Sequence, residues 1–136
     1  SINAMDTLSL NIPVYASNVG KESLEYIKEG RVVEGGAGND LAAGIAVALL
    51  VNHLDGHPIV DESGKAPELK TTPFIVNKDN VDGYISMFFT EGSHPLTRNL
   101  LKKLAWRFNP DVSYKTFTDL IANGLTLEEL LKEHGR

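Results

Sequence analysis

Residues Asn11 to Gly56 read NIPVYASNVGKESLEYIKEGRVVEGGAGNDLAAGIAVALLVNHLDG, and the punctuation of this stretch decides the fold. The apolar run Ile12-Pro13-Val14-Tyr15-Ala16 stops at Ser17-Asn18-Val19-Gly20, after which Leu24, Tyr26 and Ile27 take up helical spacing. That is strand, loop, helix. Gly30 is placed to end the helix in a left-handed conformation, and Arg31-Val32-Val33 starts a second strand that dissolves into Gly35-Gly36-Ala37-Gly38. Asn39 or Asp40 is the expected cap of a second helix, whose nearly all-apolar course from Ala42 to Val51 reads as largely buried, with Gly44 expected as a close-packing point where the helix meets the sheet. The unit is βαβα with two parallel strands, and its two loops lie at their carboxyl ends, the edge of an open α/β sheet where ligands sit.

Outward from this unit, residues 1–10 suit a short lead-in helix or a frayed terminus, with Ser1-Ile2-Asn3-Ala4 ahead of Met5 expected to be a cloning remnant. Asp55-Gly56-His57-Pro58 breaks the long helix, and a polar connection follows to Pro67. Leu69 to Val76 is β-prone, but Pro73 removes a ladder donor and predicts an edge strand or a bulge. Val81, Tyr84, Ile85 and Phe88 then fall at helical spacing, with Asp79 or Asn80 as cap and Gly92 as stop. Pro95 to Phe108 reads as one amphipathic helix ended by Asn109-Pro110. Two shorter helices are expected over Tyr114 to Ala122 and Thr126 to His134; the second opens on the capping-box pattern Thr126-Leu127-Glu128-Glu129, behind an Asn123-Gly124 stop. The expectation is one α/β fold: a partly parallel sheet with flanking helices over 11–92, and a helical C-terminal extension over 93–136 packed on it.

The 136 residues carry 13 basic and 18 acidic side chains, a net charge of −5. The densest basic cluster, Arg98, Lys102, Lys103 and Arg107, falls on an amphipathic segment, so nucleic acid is not an expected partner. No cysteine is present, which excludes disulfides, thiolate metal sites and cysteine nucleophiles. The longest apolar run, Leu41 to Val51, is far below the roughly 18 residues of a membrane-spanning helix, so no direct membrane insertion is expected.

Few motifs carry chemistry. Gly35-Gly36-Ala37-Gly38 at a helix start invites a phosphate-loop reading, but no Lys-Ser/Thr follows and the third glycine of the dinucleotide pattern is missing. A tight turn that lets something approach the backbone is the better account. Among His53, His57, His94 and His134, only His53 and His57 have the i, i+4 spacing of helical metal ligands, and Gly56 and Pro58 end the helix between them. Ser17 stands in no nucleophile elbow. Trp106, between Leu104 and Phe108, reads as core and cover. With neither a nucleophile nor an acid–base constellation, no enzyme, metal or cofactor is expected.

Several pieces in order resemble the carboxyl-terminal half of type I periplasmic binding proteins, the substrate-binding components of sugar ABC transporters: Val14-Tyr15-Ala16-Ser17-Asn18, Ile27-Lys28-Glu29-Gly30-Arg31, Val32-Val33-Glu34, Gly44, Leu54-Asp55-Gly56, and Thr71 to Asp82. The similarity runs from about Ile12 to Phe89. It implies that Asn18, with Ser17 beside it, falls where the family places a polar residue on sugar hydroxyls, chemistry an amide can serve as donor and acceptor. The second ligand loop falls on Gly38, where many sugar binders carry glutamine; Asn39 or the backbone of Gly36 and Gly38 would take its place. The family folds as two lobes closing on the ligand, together about 300 residues. The resemblance therefore implies part of one lobe, working in the periplasm on a small polar solute with an ABC transporter permease or sensor protein as partner. The alternatives are the effector-binding domain of a sugar-responsive transcription repressor of the same fold, or an enzyme of unknown type.

Overall fold

The computed structural model describes residues 2–90, 95–123 and 125–135. The chain is mixed α/β, with seven helices and a three-stranded, partly parallel sheet among these residues. In order they are α1 (Ile2–Thr7), β1 (Tyr15–Ala16), α2 (Lys21–Lys28), β2 (Glu34–Ala37), α3 (Asn39–Leu54), β3 (Phe74–Asn77), α4 (Val81–Phe88), α5 (Arg98–Lys103), α6 (Tyr114–Asn123) and α7 (Leu127–Glu133). None of the described helices is long and apolar enough to cross a membrane. The chain gathers into two compact units, Ser1–Ala37 with Phe74–Ser93, and Gly38–Pro73 with His94–Arg136.

The first unit holds the sheet, ordered β1-β2-β3. β1 runs parallel to β2, with Tyr15 opposite Glu34 and Ala16 opposite Gly35, and β3 lies antiparallel on the other side, Gly35 opposite Val76 and Ala37 opposite Phe74. The expected parallel pair is present, and β3 is an edge strand that begins directly after Pro73, where the missing donor costs nothing. One expectation fails: β2 occupies Glu34–Ala37, not Arg31 to Val33. Arg31 and Val32 are held in the helix end, both of their N–H groups donating to the Tyr26 carbonyl at 2.8 and 3.1 Å. Gly30 makes that end possible at φ +76°, as its placement predicts. α2 and α4 pack together and are tied by Lys28 and Asp82 at 2.8 Å. Leu24, Ile27, Val76, Val81, Tyr84 and Met87 form the buried centre, with Phe88 stacked on Tyr84 and edge-on to Phe74.

The second unit is helical, and its buried apolar side chains come both from α3, Leu41, Ile45 and Ala48, and from the C-terminal segment, Leu96, Leu100, Leu104, Phe117 and Leu130. Gly44 was expected to pack against the sheet; instead a Cβ there would meet Cδ1 of Leu96 at 2.3 Å, so it is this leucine that the glycine admits. α3 is not buried all round, because Val47, Leu50 and Leu54 are 59, 55 and 73% exposed. Its cap also differs: Gly38 precedes the helix at φ +107°, and neither Asn39 nor Asp40 caps it. The expected helix over Pro95 to Phe108 is reduced to α5. Thr97 starts it by accepting the Leu100 N–H at 3.1 Å, and fully buried Asn52 stops it, donating to the Leu104 carbonyl and accepting from the Trp106 N–H, both at 2.7 Å. Those backbone groups are what a continuing helix would use. Phe108 is accordingly left 61% exposed. Thr126 caps α7 as the pattern predicts, accepting from the Glu129 N–H at 3.2 Å. The Gly92 and Gly124 stops and His94 lie outside the described residues.

Candidate functional site

β1 ends at Ala16, and the loop Ser17-Asn18-Val19-Gly20 leads from it into α2. Buried Val19 anchors this loop, and the Asn18 Oδ1 accepts its N–H at 3.0 Å, which fixes the carboxamide and leaves its NH2 group without a protein partner among the described residues. β2 contributes no side chain beneath. A Cβ on Gly35 would stand 2.3 Å from Cγ1 of Val19, and one on Gly36 would stand 3.1 Å from the Ser17 carbonyl oxygen. The glycine pair read as a loop is thus strand, and what it lets approach the backbone is the Ser17–Val19 segment.

Ser17 and Asn18, both exposed, line a cleft of about 620 Å³ at the carboxyl end of β1. Tyr15, Lys21, Glu22, Ser23 and Tyr26 also line it, and Ile2, Val14 and Val32 are among its apolar walls. Some of these groups are already engaged. Ser23 Oγ accepts the Gly20 N–H at 2.8 Å and donates to the Gly20 carbonyl at 2.9 Å, closing the first turn of α2. The Tyr26 hydroxyl donates to Glu22 at 3.0 Å; that bond, with burial and the Glu22 charge, raises its pKa above the usual phenol range. Among the described residues, the Ser17 hydroxyl, the Asn18 amide and the Lys21 ammonium keep polar capacity for a ligand. Sequence reasoning missed Lys21 and Tyr26, for which the signal was position: both lie on the helix that follows the Asn18 loop.

The other two expected site residues lie in the second unit. Gly38 precedes α3, its carbonyl accepting the Leu41 N–H at 3.1 Å, and Asn39 is exposed in the first turn. The Ser17 and Asn18 cleft is lined by first-unit residues. The described histidines are all in the second unit: His53 exposed on α3, His57 stacked on Trp106 at 3.4 Å between ring centres, and His134 at the end of α7. Trp106 is thus a stacking partner of His57 and only partly buried. No three metal-ligating side chains gather among the described residues. An open polar cleft with an amide, a hydroxyl and an ammonium can hold a hydrogen-bonding solute by non-covalent contacts. No protein-family model, curated protein or solved structure matches this chain.

Proposed function

We propose that the chain recognises a small polar solute, a sugar, at the carboxyl end of β1, and that it does so as part of a two-lobed substrate-binding protein of the type I periplasmic class, handing the solute to an ABC transporter or reporting it to a sensor. The observation that carries this reading is the position of Ser17 and Asn18 together on one cleft at the end of a parallel strand, with hydrogen-bonding capacity to spare. The βαβ connection through α2 and the resemblance from Ile12 to Phe89 support it further. In this reading the cleft is one jaw, and the facing lobe supplies the remaining hydrogen bonds and excludes water.

The test is calorimetry against a panel of mono- and disaccharides. Half a clamp leaves sugar hydroxyls to water, so the chain alone should bind no tighter than about 1 mM, about −4 kcal/mol, while the two-lobed parent binds more tightly. In the parent, Asn18→Ala should weaken binding by about 1 to 3 kcal/mol, because it orphans a ligand hydroxyl. Micromolar binding by the chain alone refutes the half-site reading; an Asn18→Ala parent that binds as before refutes the residue assignment.

A further inference from the structure

β3 is the outer strand of the sheet, and its far edge ends in an unusual way. In an antiparallel pair alternate residues turn their main-chain groups to the neighbouring strand and away from it, and here the Ile75 carbonyl and the Asn77 N–H are bonded away from β2. These two outward groups are taken by a single side chain, while the Asn77 carbonyl accepts the Asn80 main-chain N–H at 3.3 Å. Asn80 donates its Nδ2 to the Ile75 carbonyl at 2.8 Å and accepts the Asn77 N–H on its Oδ1 at 2.9 Å. In a parallel ladder one residue of the neighbouring strand makes this same pair of bonds, taking the carbonyl before and the N–H after the residue it faces, here Val76. Asn80 precedes α4, yet its side chain makes no cap bond to that helix. The carboxamide is spent on the strand instead.

We propose that Asn80 is an edge lock: its carboxamide stands in for one residue of a fourth strand and so keeps the β3 edge from pairing with β3 of a second copy of the chain. The sequence underneath makes such a device useful. Phe74-Ile75-Val76-Asn77 is β-prone and uncharged, Ile75 is half exposed, and the proline and lysine that deter edge pairing stand only at its ends, as Pro73 and Lys78. A second copy is the natural occupant because an edge meets its own twin through a twofold axis, the Ile75 N–H and carbonyl and the Asn77 N–H finding counterparts in the other chain.

The variant to make is Asn80→Ser, which keeps a good helix-capping residue before α4 but cannot span Ile75 and Asn77. Sedimentation over a concentration series, read beside the unaltered chain, should show its average mass climbing toward that of two chains. Hydrogen exchange should show the Asn77 amide at least about tenfold faster in dilute variant than in the unaltered chain, and slowed again in the concentrated sample. Adding Ile75→Lys, a charge on the open edge, should return the variant to the mass of the unaltered chain. If Asn80→Ser exchanges rapidly at Asn77 yet keeps the mass of the unaltered chain at every concentration, the edge is open and adds no strand, which overturns the proposal. An Asn77 amide equally protected in both proteins also overturns it, since Asn80 would then hold nothing. Should Asn80→Ser misfold by circular dichroism, Asn80→Gly, which is tolerated before a helix and carries neither the donor nor the acceptor, is read by the same two measurements.

Discussion

Replacing Asn52 by leucine removes two hydrogen bonds while nearly preserving side-chain volume, so it isolates the polar contribution of the one buried polar side chain recorded among the described residues. Two backbone groups lose their partner: the Leu104 carbonyl, in a fully buried bond, and the Trp106 N–H, in a partly buried one. A buried orphan costs about 1 to 3 kcal/mol and a half-wetted one about 1, giving a net loss of about 2 to 4 kcal/mol. For a chain of this size each kcal/mol moves the unfolding midpoint by about 4 °C, so the midpoint should fall by about 8 to 16 °C. The assay is thermal unfolding followed by far-ultraviolet circular dichroism and by the fluorescence of Trp106, the single tryptophan, whose own N–H is one of the two orphans. Asn52→Ala, which adds a void, should lose more than Asn52→Leu. A loss below about 0.5 kcal/mol for Asn52→Leu would show that both groups find other partners and would refute the claim that this side chain stops α5.

Gly30→Val should destabilise the first unit by about 1 to 2 kcal/mol, because a β-branched residue is strained at φ +76°; an unchanged melting temperature would remove the helix-stop assignment. Asp55 accepts the Arg107 Nε–H at 2.6 Å and a second bond from Nη2, and this pairing, opposed by burial, holds its pKa below the usual carboxylate range. A lowered folded pKa gives stability that is present above the unfolded value and lost as pH falls through the folded one, so Asp55→Asn should be less stable than the unaltered chain at about pH 7 and approach it at about pH 3. Urea midpoints at the two pH values check this, and a constant gap between the proteins would count against the pairing.

Element order was legible wherever short-range chemistry acts alone. Gly30, Thr126 and Pro73 each behave as their local rules require, since a positive φ, a cap oxygen and a missing donor are properties of one residue and its neighbours. Legibility failed where a distant group decides. The β-prone Val32 is lost to the strand because its N–H closes the end of α2 on the Tyr26 carbonyl. The strand falls instead on Gly35 and Gly36, whose bare backbone admits the Ser17–Val19 loop, a contact invisible in composition. The helix expected through Phe108 was cut by a side chain more than 50 positions earlier. Gly44 was recognised as a packing glycine, but its neighbour is Leu96, and nothing near it in sequence names that partner. At the site, Ser17 and Asn18 were found from the strand-loop-helix pattern, whereas Lys21 and Tyr26 join them only once α2 folds back along β1.

The contact of the Ser17–Val19 loop with Gly35 and Gly36 limits how this cleft can be redesigned. Because main chain and a valine methyl rest directly on glycine backbone, the loop has no slack: any side chain added at position 35 displaces Val19, and with it the Asn18 amide that Val19 fixes. A library aimed at new ligands is therefore best spent on positions 15, 17, 18, 21 and 26, whose side chains line the open cleft, while 35 and 36 stay glycine. Variation at the glycine pair would move the whole platform and randomise geometry before it changed chemistry.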